Sequence, residues 1–175
     1  MKRSAIDIES FSTRSHYIWA KHWLVLTAGD MLKNDFNAMT VAWGSFGTMW
    51  GKPLAMVVVR PSRHTWNYME KYDSFTLCAF PEGNRKSVQL FGSKSGRDCD
   101  KIAESGLTVL PSKSISSPGF DEAELIVECR KIYFDDINPA HFLSSDTEKN
   151  YPKKDYHRMY FGEIVAVSGV PVYKV

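Results

Sequence analysis

Leu54-Ala55-Met56-Val57-Val58-Val59-Arg60-Pro61-Ser62-Arg63-His64-Thr65 is the stretch around which the rest of the chain is read. Its apolar run is rich in β-branched residues, opens after Pro53 and is far shorter than the ~20 residues a membrane-crossing helix needs, so it reads as a buried strand over 54–60. A polar turn follows, and Thr65–Lys71 carries a helical pattern. Similar short runs on either side predict strands over 23–27, 38–46, 74–80, 123–134 and 157–167. Ala28-Gly29-Asp30 stops the first, Gly44 and Gly47 mark bulges or close backbone approach in the second, and Gly162 bends the last. Further helices are expected over 85–91, over 98–105 ending at Gly106, and for one turn over 138–143. Residues 144–155 read as an exposed, mobile polar loop. Strands dominate without a regular β-α-β rhythm, which argues against a doubly wound sheet. The expected fold is mainly β: a closed or partly closed barrel with short helical insertions.

The 175 residues suit one domain, 1–175. Hydrophobic residues make up 43% and charged residues 24%, which excludes a disordered chain. Aromatics reach 13%, enough to pack a core and also to offer rings to a planar ligand. The net charge of +2, with no long Lys/Arg block, predicts no nucleic-acid partner. The apolar runs are too short for a membrane span, and the basic amino terminus lacks the apolar stretch of a secretory signal, so a cytoplasmic protein is expected. Cys78, Cys99 and Cys129 show no CxxC spacing, and the histidines no HxxxH, so neither a disulfide framework nor a metal site is expected. Cys78 and Cys129 lie in apolar runs and read as inert core thiols.

Four segments carry candidate chemistry. Arg60-Pro61-Ser62-Arg63-His64-Thr65 reads either as an ordinary helix start with two solvated arginines or as an anion site, where Arg60 and Arg63 supply cationic forks and Ser62 and Thr65 hydroxyls. Gly92-Ser93-Lys94-Ser95-Gly96-Arg97-Asp98 is a second small, basic segment before a helix, and it is not a GxxxxGK[ST] loop. Asn37-Ala38-Met39-Thr40-Val41-Ala42-Trp43-Gly44 places polar and small residues at a strand entrance beside aromatics, which suits the polar edge of a flat heteroaromatic ring as well as it suits a plain bulged strand. In Asp155-Tyr156-His157-Arg158, alternation sets His157, Met159 and Phe161 on one face and Tyr156, Arg158 and Tyr160 on the other. His157 is the catalytic candidate; the alternative is a hydrogen-bonded structural histidine. GxGxxG and GxSxG are both absent, so any redox chemistry requires a bound cofactor.

These four segments, in this order and approximate spacing, resemble the flavin reductase-like family, with the FMN-binding split-barrel fold, and most of all its flavoredoxin-like branch. The resemblance covers about residues 20–168. It implies a homodimer with FMN sites near the subunit interface. It implies an oxidoreductase that passes hydride or electrons from NAD(P)H through FMN to an acceptor, or an FMN electron-transfer protein with a protein redox partner. It places Asn37, Ala38, Met39, Thr40 and Trp43 at the flavin ring, and Arg60, Ser62, Arg63, Thr65, Lys94 and Ser95 at the phosphate. His157 falls near the ring or the nicotinamide. A non-redox module for another phosphorylated ligand is the third reading of the same residues.

Overall fold

The computed structural model describes residues 2–175. Its strands are β1 (Ser4–Ile6), β2 (Leu24–Asp30), β3 (Asp35–Val41), β4 (Gly44–Met49), β5 (Lys52–Val59), β6 (Ser74–Ala79), β7 (Val109–Leu110), β8 (Gly119–Phe120), β9 (Leu125–Asp136) and β10 (Arg158–Gly169). All pair antiparallel. The main sheet runs β3-β2-β6-β9-β10-β5-β4, with β1 added beside β10, and β7 and β8 form a separate ladder. The first half of β10 pairs with β5 and its last residues with β1, while β9 follows along its other edge. Register shifts at Phe161/Gly162 and Ile164/Ala166 bend that long pair, as the sequence signal at Gly162 anticipated. The sheet curls without closing, since among the described residues no ladder joins β3 to β4.

Alternation decides where the core sits. Leu24, Leu26 and Ala28 of β2, Phe75, Leu77 and Ala79 of β6, and Leu125, Val127 and Cys129 of β9 point into the concave interior. Their neighbours Val25, Cys78 and Ile126 point outward and are covered by Val88 and Phe91 of α3 (Arg85–Ser93) and by Phe120. Both faces of these strands are therefore dry, which is why they read as apolar runs. Cys78 and Cys129 are fully buried, and burial pushes the Cys78 thiol up to about 12.

The mainly β reading holds, with local corrections. The strand expected over 38–46 is two strands, because the chain changes partner from β2 to β5 at Ala42-Trp43. Gly44 sits at that switch, and a Cβ there would come within 2.5 Å of both the Met56 carbonyl and the Trp19 ring. The helix expected over 98–105 is α4 (Lys101–Ser105), started by Asp100, whose carboxylate accepts from the Ile102 and Ala103 amides. Helix α2 (Thr65–Lys71) lies where it was expected, and the turn expected over 138–143 is Pro139–His141. On β10 the buried face is Tyr160, Gly162 and Ile164, opposite to Met159 and Phe161. The short strand β1 and the helical segment Ser15–Tyr17 (α1), continued through Ile18–His22, carried too few residues to be read in advance. The 144–155 loop is exposed over most of its length, but it contains the turn α5 (Ser145–Glu148) and buries Tyr151 in its second half. Among the described residues, no helix is long and apolar enough to cross a membrane.

Candidate functional site

Among the described residues β3 has only β2 for a neighbour, so alternate backbone N–H and C=O groups along its other side find no strand partner there. Facing this free edge are the 60–65 turn, the loop after α3, and His157 at the start of β10. Two cavities lie in a row here, and Met39 and Arg63 stand in the walls of both. The first, about 200 Å³, is bounded by Thr40, Trp43, Val58, Arg60 and His157. The second, about 150 Å³, is bounded by Ser62, Thr65, Lys94, Ser95, Arg97 and Lys101. The loop approaches so closely that a Cβ at Gly96 would meet Asn37 Oδ1 at 2.6 Å and His64 Cδ2 at 3.0 Å, so any side chain there would push Asn37 and His64 aside.

The fold thus brings together most of the residues singled out in the sequence, though not all as free side chains. Ala38 is buried with its side chain in the outer core, so only its backbone can reach the edge. Asn37 is buried, and its Nδ2 donates to Thr65 Oγ1 at 2.8 Å, which ties β3 to the first turn of α2. Thr40 donates its hydroxyl to the Val88 carbonyl. Arg60 lies at the Trp43 end of the row, away from Lys94. It is paired with Asp155 at 2.6 Å, donates to the Asn150 carbonyl and stacks over the Tyr151 ring. Ser62 also donates to Asp155, at 3.1 Å, and Lys94 is paired with Glu104.

The unmatched charge lies elsewhere. Arg63, Arg97 and Lys101 bond only to carbonyl oxygens, those of Gly92, Ser62 and Lys94 respectively, and among the described residues none pairs with a carboxylate. Lys101 is 3% exposed, and desolvation together with the nearby Arg63 guanidinium pulls its ammonium down to about 8. An ammonium buried this way is costly unless an anion arrives. Next to it, His64 Nδ1 is buried without a partner, and its ring is held below the usual range by burial and by Arg97 and Lys101.

At the other end, His157 is buried, with its ring 5.1 Å from that of Trp43. Desolvation and the Arg60 charge hold it down to about 4, so it is neutral at pH 7. Its Nδ1 lies 2.9 Å from the Tyr151 hydroxyl. Among the described residues that buried hydroxyl has no other acceptor, so it donates to Nδ1. The His157 proton is then on Nε2, which makes the ring a neutral donor rather than an acid.

Lys101, His64, Val58 and Tyr151 were missed by the sequence reading. Lys101 follows Asp98-Cys99-Asp100 and reads locally as a solvated helix lysine; its burial comes from α3, the 92–98 loop and the turn before α2. Tyr151 falls in a polar loop, and only the contact with His157 gives it a role.

A cleft with a free strand edge and a tryptophan at one end, and cations lacking counter-charges at the other, suits a flat polar-edged ring with a phosphorylated tail. The chain belongs to the flavin reductase-like domain family, which matches residues 19–171. An uncharacterized protein of Pyrococcus abyssi is 25% identical over 112 residues, covering 63% of this chain. The chain spans about half the length of that curated relative, 53%. Among solved structures, the FMN-binding domain of a flavin reductases-like enzyme from Shewanella baltica OS155 superposes with a TM-score of 0.69 at 15% identity, covering 96% of this chain and 77% of that one. A flavoredoxin of Desulfovibrio vulgaris (Miyazaki F) gives 0.67 at 19% identity, covering 91% and 73%. At these identities the likeness to the solved structures is one of fold.

Proposed function

We propose that the chain binds FMN in this cleft and works as an oxidoreductase, passing hydride or electrons from NAD(P)H through the flavin to an acceptor. The observation that carries the reading is the pair of adjoining cavities sharing Met39 and Arg63, one offering a free strand edge, the other cations without counter-charges. Arg63, Lys94, Ser95 and Lys101 would hold the phosphate, with Ser62 beside them. Thr65 supports the site by fixing Asn37. The backbone from Asn37 to Thr40 would bond the polar edge of the ring, and Trp43, Val58 and Met39 would flank it. Bound FMN supplies the capacity to take a hydride and release its electrons. The chain's own residues bind, orient and exclude water. His157 contributes an Nε2–H donor at the ring end, and Tyr151 holds its ring in place.

The same reading includes a homodimer. Met49, Trp50, Ile132, Tyr133 and Phe134 are exposed on the hairpin of β4 and β5 and on β9. Trp50, Tyr133 and Phe161 form one aromatic patch, with ring centroids 5.4–6.4 Å apart. A patch of this kind on a small domain suits a subunit interface. The electron-transfer alternative draws support from Trp43, which leaves 46% of its surface exposed at the cleft mouth, where a protein partner has access. An NAD(P)H-dependent reductase of this kind would work in the cytoplasm.

The test is anaerobic mixing of the FMN-loaded protein with NADH and with NADPH in a stopped-flow spectrometer. Bleaching of the oxidised flavin band by either one supports the reductase. Bleaching by neither, with FMN firmly bound, leaves the electron-transfer protein. A chain that takes up no FMN refutes both.

A further inference from the structure

Arg60 borders the ring cavity and not the phosphate cavity, so the function proposed above leaves it without a task. What it holds instead is the long connection 137–157 between β9 and β10, and a connection of that length in a compact domain is a candidate for function. The ends of the connection are tied where Asp136 pairs with Arg158 and where the Ile137 amide donates to the His157 carbonyl. Among the described residues, every side-chain hydrogen bond that joins 137–157 to the rest of the chain comes from Arg60 or Ser62.

The Arg60 guanidinium makes three contacts at once. Nη1 donates to Asp155, Nη2 donates to the Asn150 carbonyl, and the central carbon lies 4.9 Å from the middle of the Tyr151 ring. Ser62 reaches the second Asp155 oxygen. Phe142 stacks with Tyr151 at 5.9 Å and Tyr156 tilts against it at 4.9 Å, so the ring is held and its hydroxyl is delivered to His157 Nδ1. A planar fork can do all this together, whereas a lysine ammonium meets its acceptors as a point charge. The tautomer matters because His157 lines the ring cavity and, among the described residues, its Nε2 has no partner. With the proton on Nε2 the cavity meets a donor; with the proton on Nδ1 it meets a bare lone pair. Burial does most to keep the ring neutral. Of the charges around it, Arg60 and Arg63 oppose protonation, Asp155 favours it, and Trp43 brings none.

We propose that Arg60 is a positioning residue for the flavin chemistry: it clasps the 150–157 segment against the cleft, so that Tyr151 fixes His157 as an Nε2–H donor facing the ring. The proposal rests on the flavin reading above, but the clasp and the tautomer it sets belong to the chain alone and can be read without flavin. A donor aimed at the ring favours the negative charge the ring gains on reduction, so the clasp raises the midpoint potential of bound FMN.

The experiment compares the full-length wild type with Arg60→Met and with Arg60→Lys, which keeps the charge and loses the fork. Nitrogen-15 NMR of the flavin-free proteins at pH 7 reads the tautomer, with the His157 ring assigned by its absence from His157→Gln. The wild type should show a protonated Nε2 and a bare Nδ1, and both variants a mixture of the two tautomers. The midpoint potential of bound FMN should fall in both variants, while the ratio of FMN to riboflavin affinity stays within about twofold of the wild type. A wild type with the proton on Nδ1 overturns the proposal, as do folded variants that keep the single Nε2–H tautomer. An Arg60→Lys protein that matches the wild type in tautomer or in potential overturns it as well, since charge alone would then suffice. A selective loss of FMN over riboflavin returns Arg60 to the phosphate and has the same effect. All of these results leave FMN binding standing, whereas a chain that takes up no flavin refutes the flavin reading and the donor role together.

Discussion

Replacing Lys101 by methionine should make the ligand-free protein more stable and a worse binder of FMN. Methionine keeps the length and apolar stem of lysine and removes the ammonium. In the folded chain that ammonium is held down from 10.5 to about 8, principally by desolvation. A difference of that size corresponds to roughly 3 kcal/mol disfavouring the charged form. The sign follows from linkage. The unfolded chain holds this proton more tightly, so between about pH 8 and 10.5 stability rises with pH, and at pH 7 the full cost is present. Lys101→Met removes that cost and loses the bond to the Lys94 carbonyl, worth about 1 kcal/mol, for a net gain of about 2 kcal/mol at pH 7. Binding runs the other way, because one charge-assisted contact to phosphate should be worth about 1.5–3 kcal/mol, or roughly ten- to 150-fold in Kd. Riboflavin, which has no phosphate, should bind both proteins alike. The phosphate also restores the ammonium, so wild-type affinity for FMN should fall as pH rises above about 8, and the methionine variant should lack that dependence. Urea unfolding at pH 7, together with fluorescence titration of both flavins at pH 7 and 9.5, reads all of this. A methionine variant that is less stable than wild type, or that loses FMN and riboflavin equally, would falsify the assignment of Lys101 as a buried anion anchor.

Arg63→Ala should weaken FMN relative to riboflavin by about 1.5–3 kcal/mol, and Lys94→Ala by less, because Lys94 is already paired with Glu104; equal losses for the two flavins in titration would show the phosphate misplaced. Thr65→Val, nearly isosteric, strands the buried Asn37 amide and should cost about 1–3 kcal/mol in urea unfolding, whereas Thr65→Ser should cost much less; a neutral valine would contradict the bond. His157 is held at about 4 against 6.5 in a free chain, so its contribution is complete above pH 6.5 and lost as pH falls to 4, by up to about 3 kcal/mol. The drop in urea midpoint between pH 7 and 5 should therefore shrink in His157→Gln, and an unchanged drop would place the acid sensitivity elsewhere. Tyr133→Glu should shift the sedimenting species from dimer to monomer with the far-ultraviolet dichroism unchanged, and a monomeric wild type would remove the proposed interface.

Much of the fold was legible because burial on both sheet faces leaves a local mark. The run at 54–59 is apolar without interruption, the one at 74–80 is broken only by Ser74 and Thr76, and both form strands. Boundaries were less legible where the chain changes partner. Nothing in Ala42-Trp43 announces that β3 ends and β4 begins, since both halves have the same strand character and only the pairing differs. In the site, the two basic segments were visible as composition, and the fold sets them side by side along β3. Which cations are free was not visible. Arg60 looks as available as Arg63 in sequence, yet Asp155, 95 residues away, has claimed it.

The order of short strands, the basic turns at 60–65 and 92–98, and the polar strand entrance at 37–40 follow from local alternation, turn chemistry and spacing, and these properties survive in a one-dimensional string. Tertiary structure alone decided that Lys101 is dry, that His157 is neutral and bound to Tyr151, and that a large cavity continues past the phosphate end. Each of these depends on desolvation and charge contributed by segments far apart in the chain. Electrostatic energy falls with distance in space, and the sequence records only distance along the backbone.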